Sequence, residues 1–314
     1  MDYSKKSKPK QCLKNMHASS QTSVLIIRPG ALGDTLMLVP AVKYLKDKVK
    51  IYIAGTSPAI SLLDRFTIKN YDMDSSGWHK LFMNASDRSL NFDPFDIIIS
   101  FINDRDGLIN KALKRWFPDS KINIFPSQPV EKKQIHTAFH IASCINSAGI
   151  PVNAEESINN SINFAVLSMN IRYNKSGPIV IHPGSGSIKK NMPISFWENI
   201  SYTVGKDVIV LLGPAEIERK INFFILKNNI KILRMPELNY LTEVLTGASL
   251  FIGHDSGVAH LAAMLGIPVI ALFKVSDPVK WRPLGPHVYI IDANKELAII
   301  HEELIVLMRK LSVY

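Results

Sequence analysis

The chain has 314 residues, 46% of them hydrophobic and 20% charged, with 16 Gly, 18 Pro and a net charge of +10. These proportions exclude a disordered or collagen-like chain, and the length exceeds what one hydrophobic core serves, so two domains with a cleft between them are expected. Cys12 and Cys144 are the only cysteines and have neither metal-ligand nor redox spacing, which predicts two reduced thiols.

Residues 1–21 carry Lys5, Lys6, Lys8, Lys10 and Lys14 against Asp2 and hold no apolar run. They read as a basic, disordered, solvated head with no secretory leader, which predicts a cytoplasmic protein. No later stretch approaches the roughly 20 apolar residues of a spanning helix, so any membrane contact is expected to be peripheral. The remaining positive charge suits anionic ligands such as diphosphates, or an anionic lipid surface. Zinc-finger spacing, a basic heptad region and an RNP-like strand are all missing, which argues against nucleic acid as a partner.

Val24–Arg28 is a short apolar run stopped by Pro29 and Gly30, the pattern of a buried parallel strand. A helix is expected over Thr35–Lys46, then a strand at Lys50–Ala54, a strand at Ile97–Phe101, a helix at Gly107–Phe117 and a helix at His136–Ala148. Residues 153–177 are rich in Asn and Ser, with a strand-like Ser161–Val166, and a domain junction is expected within 165–177. Beyond it Pro178–His182, Val208–Leu212, Lys231–Arg234, Leu250–Gly253, Val269–Phe273 and Val288–Ile291 read as strands spaced by helices, and Lys295–Leu311 as a closing amphipathic helix. The expected fold class is α/β: an N-terminal domain over 22–168 and a C-terminal domain over 169–314, both Rossmann-like and doubly wound, with the carboxyl ends of both sheets at one cleft.

Three strand-to-helix loops carry the chemistry. Arg28-Pro-Gly-Ala-Leu-Gly-Asp34 contains Gly30 and Gly33 but no full G-x-G-x-x-G, so a nicotinamide oxidoreductase lacks its fingerprint here. Asp34 is either a helix N-cap or a carboxylate base at the cleft. In His182-Pro-Gly-Ser-Gly-Ser187 the small Ser185 and Gly186 let backbone N–H groups approach an anion, with Lys189 and Lys190 following and Pro193 expected to open a helix over Pro193–Ile200. Asp255-Ser-Gly-Val-Ala-His260 starts a small-residue helix. Asp255 or Ser256 can cap it, Ser256 and Gly257 present donors to an anion, and His260 reaches the same spot from one turn in. Asp104-Arg-Asp106 has the D-x-D pattern of some metal-dependent transferases, but its position at a strand end before a helix predicts a cap, and no metal site is expected.

With these segments in hand, residues 23–310 resemble glycosyltransferase family 9, the heptosyltransferase family of lipopolysaccharide core assembly. The resemblance rests on Ile27-Arg-Pro-Gly-Ala-Leu-Gly-Asp34, His182-Pro-Gly with Lys190-Asn-Met-Pro193, Leu212-Gly-Pro-Ala-Glu216, and Asp255-Ser-Gly-Val-Ala-His260 with Gly266-Ile-Pro268. It implies a GT-B fold with the last helix crossing back to the first domain. It also implies an inverting, metal-independent transfer without cofactors, with ADP-heptose as the first donor to try and a glycan or glycolipid as acceptor. Asp34 then matches the family's base, Lys190 its phosphate lysine, and Asp255, Ser256, Gly257 and His260 its diphosphate site. Glu216 matches the ribose-contacting acid, with Glu218 a rival two residues on. The chain departs from the family at Met192, where Trp is frequent, and at Ser256, where Thr is usual. A nucleotide-sugar-binding regulatory or scaffold subunit without catalysis is the alternative.

Overall fold

A computed structural model describes residues 21–75, 77–83, 92–130, 133–168, 174–221 and 228–311. The basic head up to residue 20, with Cys12, and the expected domain boundary at 169 lie outside the described residues.

The first half builds a parallel sheet from β1 (Ser23–Ile27), β2 (Lys50–Gly55), β3 (Lys69–Asp72), β4 (Ile97–Ser100) and β5 (Lys121–Ile124), in the order β3-β2-β1-β4-β5. The central strands are continuous apolar runs because helices cover both of their faces. The edge strands β3 and β5 mix Lys and Asn with apolar residues and are only half-buried, so the expectation from sequence did not include them. The second half builds β6 (Ile179–His182), β7 (Val208–Leu212), β8 (Ile230–Arg234), β9 (Leu250–His254), β10 (Val269–Phe273) and β11 (Val288–Asp292) into a second parallel sheet, ordered β11-β10-β9-β6-β7-β8. Each order reverses direction beside its first strand, so the loops after β1, β6 and β9 stand at switch points where such sheets bind ligands.

The helix expected over Thr35–Lys46 is two helices, α1 (Leu32–Leu36) and α2 (Val39–Leu45). Pro40 sits in the first turn of α2, and a continuous helix would need from it the N–H it lacks. Helix α3 covers Leu108–Trp116. Both carboxylate oxygens of Asp104 accept backbone N–H groups at its start, from Ile109 at 3.0 Å and Asn110 at 2.9 Å. Asp104 is therefore the cap its position predicted. Asp104→Ala should cost about 1 kcal/mol, read as a fall of about 2–4 °C in thermal unfolding.

Helix α4 covers Thr137–Ser147, and the strand expected at Ser161–Val166 is instead the end of α5 (Ala154–Asn163). There Asn153 accepts the Glu156 N–H, Glu155 and Glu156 favour the first turn, and Ile158 and Ser161 are buried at helical spacing. Residues 165–167 then cross to the second half. The Leu167 N–H donates to the Met264 carbonyl (2.8 Å), and Arg65 donates to the Val166 carbonyl (2.8 Å). One apolar core runs from α2, α4 and α5 into α9 (Gly257–Met264), so the two halves share buried surface.

Helix α6 covers Ile194–Thr203, with Pro193 just outside it at the N-cap, and α7 (Pro214–Glu218), α8 (Leu238–Thr246) and α10 (Pro278–Trp281) follow. The closing helix α11 (Leu297–Lys310) buries Ile300, Leu304, Ile305 and Met308 against the second sheet and α6. This apolar stripe packs on its own domain. No helix among the described residues is long and apolar enough to cross a membrane.

Candidate active site

The loops after β1, β6, β7 and β9 enclose a cavity of about 480 Å³, a volume suited to a small ligand. Gly30, Gly33, Thr56 and Pro58 line it from the first domain; Ser185, Gly186, Glu216, Ser256 and Gly257 line it from the second. Leu211, Leu212, Met235, Pro236, Leu238 and Leu241 give one end an apolar wall that reasoning from sequence missed. These side chains come from two separate stretches, 211–212 and 235–241, so no local pattern marked them.

The starts of α1 and α9 meet across the cleft. A Cβ on Gly257 would stand 2.9 Å from the Gly33 nitrogen and 2.9 Å from Leu32 Cβ, so glycine at this position permits the approach. The ring of His260 lies beside Gly33. Asp34, with its side chain 35% exposed, is in the first turn of α1. Gly30 adopts φ +154, and a Cβ there would strike the Asp34 side chain. Asp34 is held by the buried Arg28, whose Nε donates to the Asp34 carbonyl (3.0 Å) while one terminal nitrogen reaches Oδ1 (3.3 Å). The other terminal nitrogen donates to the Ser127 carbonyl (2.9 Å), and the guanidinium lies 5.6 Å from the Phe101 ring centroid. Burial pulls the Arg28 pKa down and Asp34 pulls it back up. An arginine at the end of an otherwise apolar strand, six residues before an aspartate, is the sequence signal for this pairing.

On the opposite side, Lys190 Nζ donates to Asp255 Oδ2 (2.7 Å) and His260 Nε2 stands 3.6 Å from Asp255 Oδ1. Burial raises the Asp255 carboxyl, but the hydrogen bonds from His260 and Lys190 outweigh it and hold its pKa at about 2. Both oxygens of Asp255 are thus engaged, and its carboxylate orients Lys190 and His260. Asp34, Lys190, Asp255 and His260 are not themselves in the cavity lining; Asp34 and Asp255 adjoin lining residues in the chain, His260 lies beside Gly33, and Lys190 is joined to them through Asp255. Ser256, rather than Asp255, caps α9 by accepting the Ala259 N–H (3.4 Å). The first N–H groups of a helix have no partner within it, which leaves those of Gly257 and Val258 beside the cavity.

The β6 loop is braced from three sides. The Ser185 hydroxyl is engaged within the loop, by the Ser187 carbonyl (2.8 Å) and Asn191 Oδ1 (2.7 Å), while Arg219 donates to the carbonyls of Ser185 and Gly186. The Met192 N–H donates to His254 Nε2 (2.8 Å), and burial followed by the nearby His182 pushes the His254 pKa down to about 3. The Met192 side chain packs in the core beneath the second sheet and does not line the cavity.

Of the two rival acids, Glu216 is buried and lines the cavity, whereas Glu218 is exposed. Glu216 Oε2 accepts the Gly213 N–H (2.9 Å) and lies 3.4 Å from His182 Nε2. Burial raises its carboxyl, and His182 with the Gly213 N–H brings it below its ordinary value. The carboxylate rests against Gly184, where any Cβ would fall inside it. Gly184→Ala should therefore displace Glu216 and cost about 1–3 kcal/mol in stability, as checked by thermal unfolding.

Among the described residues, no group of three or more His, Cys, Asp or Glu side chains is placed to hold a metal ion. Two doubly wound units facing a shared cleft are the arrangement of the GT-B fold. Residues 129–303 match the model of glycosyltransferase family 9 (heptosyltransferase), and the chain belongs to that family. A provisionally named glycosyltransferase of Haemophilus influenzae is 22% identical over 88% of each chain. Lipopolysaccharide heptosyltransferase 3 of Escherichia coli K12 is 50% identical over 50 residues, 16% of this chain and 14% of that one. Among solved structures, E. coli heptosyltransferase WaaC with ADP is 16% identical with a TM-score of 0.66, covering 92% of this chain and 99% of its own. The iron-containing dodecameric glycosyltransferase TibC of E. coli is 16% identical with a TM-score of 0.53, covering 90% of this chain and 65% of its own.

Proposed function

We propose that this glycosyltransferase moves heptose from ADP-heptose to a hydroxyl of a lipopolysaccharide-core glycan, with inversion and without a metal ion. The observation that carries the proposal is the meeting of α1 and α9, which brings the Asp34 side of the cleft against the Lys190–Asp255–His260 cluster. The names of the relatives supply the sugar, since one is a lipopolysaccharide heptosyltransferase and a structural neighbour was solved with ADP.

Asp34 takes the proton of the acceptor hydroxyl as its oxygen attacks the anomeric carbon from the face opposite the leaving group. The bond to the diphosphate breaks, and ADP leaves with the electron pair. The obstacle is the negative charge that develops on the departing phosphate. Lys190, the N–H groups at the start of α9 and His260 face that charge with fixed positive ends, each well-placed donor contributing about 3–4 kcal/mol in comparable sites. The apolar wall receives the base, and Glu216 receives the ribose.

Donor-dependent release of ADP tests the proposal. ADP-heptose should turn over with a core-glycan acceptor, unaffected by EDTA or added Mg²⁺ and Fe²⁺, and NMR of the product should show the inverted anomer. Turnover only with UDP- or GDP-sugars would replace the sugar assignment, and loss of activity in EDTA restored by a metal would overturn the metal-free route. The acceptor is reached at the cytoplasmic face of the membrane, with the basic head drawn to anionic lipid.

A further inference from the structure

Transfer as described does not use His182, yet this side chain contacts two other residues of the cavity lining, Glu216 and Ser256. It closes β6 at the switch point, is 6% exposed, and lines the cavity together with Glu216 and Ser256. Its Nε2 lies 3.4 Å from Glu216 Oε2, and its Nδ1 lies 3.3 Å from Ser256 Oγ. The proton positions follow from the partners. A carboxylate only accepts, so Nε2 carries the ring proton. Ser256 Oγ already accepts the Ala259 N–H, so the serine hydroxyl donates to Nδ1. One imidazole therefore links the acid at the start of α7 to the cap of α9.

Glu216 is satisfied on one side alone. Oε2 has two donors, from Gly213 and His182, while Oε1 is buried without a hydrogen-bond partner. A buried carboxylate oxygen without a donor is unfavourable, and a ligand hydroxyl entering the cavity that Glu216 lines supplies the missing one.

We propose that His182 is a positioning residue that sets nucleotide specificity: by holding Oε2 it leaves Oε1 as the acceptor for a ribose hydroxyl. The proposal rests on the assignment of the cavity to a nucleoside diphosphate with Glu216 at the ribose. Discrimination is strong at such a site because a ligand lacking the hydroxyl leaves the buried oxygen unpaired.

The two ring nitrogens can be separated by substitution. In His182→Gln the amide N–H₂ reaches the place of Nε2 and keeps the bond to Glu216. In His182→Asn the amide carbonyl takes the place of Nδ1 and keeps the bond to Ser256, but nothing donates to Glu216. Calorimetric titration of the full chain with ADP, 2′-deoxy-ADP and 3′-deoxy-ADP reads the difference. Wild type and His182→Gln should prefer ADP over at least one deoxy analogue by about tenfold, and His182→Asn should bind all three within about twofold. Retention of wild-type discrimination in His182→Asn would overturn the proposal, as would equal loss in both variants, the mark of a merely structural histidine. If His182→Asn does not fold, loss of discrimination in His182→Gln overturns it. Wild type that binds ADP but ignores both hydroxyls, with Glu216→Gln equally indifferent, would instead remove the ribose assignment itself and the role of His182 with it.

Discussion

Asp34→Asn is expected to lower turnover by about 10²–10⁴-fold while leaving the affinity for ADP within about threefold. The substitution keeps the shape of the side chain and the Arg28 bond to the Asp34 carbonyl (3.0 Å), so α1 and the loop before it stay in place. It removes the only group on that side of the cleft able to take the acceptor proton among the residues assigned to the site. Single-turnover kinetics with saturating donor, beside calorimetry with ADP, separates the two effects. Wild-type turnover in the variant would transfer the role of base elsewhere, and a parallel loss of ADP binding would make Asp34 a structural residue.

Lys190→Ala is expected to lower turnover by about 10²–10³-fold, because it removes a positive end from the departing diphosphate. Unlike the Asp34 variant, it should also weaken ADP binding, and the weakening should fade at high salt as screening reduces the wild-type advantage. A second effect follows from the ion pair. Asp255 titrates at about 2 in the folded protein, below its ordinary carboxylate value, so the pair contributes stability that is present above a pH of about 4 and is lost as pH falls toward about 2. Without Lys190 the carboxyl keeps only His260, its pKa rises, and that contribution shrinks. The acid-unfolding midpoint of Lys190→Ala should therefore lie at higher pH than that of the wild type. An unchanged midpoint with unchanged ADP affinity would remove Lys190 from both roles.

Much of this architecture was legible in the chain. The central strands announced themselves as unbroken apolar runs, because strands buried on both faces admit nothing else. Asp104 was legible as a cap from its place before a helix, and the two oxygens bonded to Ile109 and Asn110 bear that out. Edge strands β3 and β5 were not legible, since a half-exposed strand tolerates Lys and Asn. The helix break at Pro40 was available as a signal and was overridden by an apolar periodicity that runs through both α1 and α2. Ser161 was misassigned because a helix whose buried face carries Ser157, Ile158 and Ser161 lacks a strong apolar stripe.

The sequence by itself determined the family, the fold class and the loops that line the cavity, since each depends on local runs of residues at fixed spacing. Only the tertiary structure showed that Glu216 is buried at the cavity and Glu218 exposed, because burial against Gly184 is a contact between segments. It alone showed that Asp255 faces Lys190 and His260, that Arg28 steadies Asp34, and that His182 joins Glu216 to Ser256. The pairings of Lys190 with Asp255 and of His182 with Glu216 and Ser256 bring together side chains fixed by different loops, and the neighbouring places of β6, β7 and β9 in the second sheet set their distances.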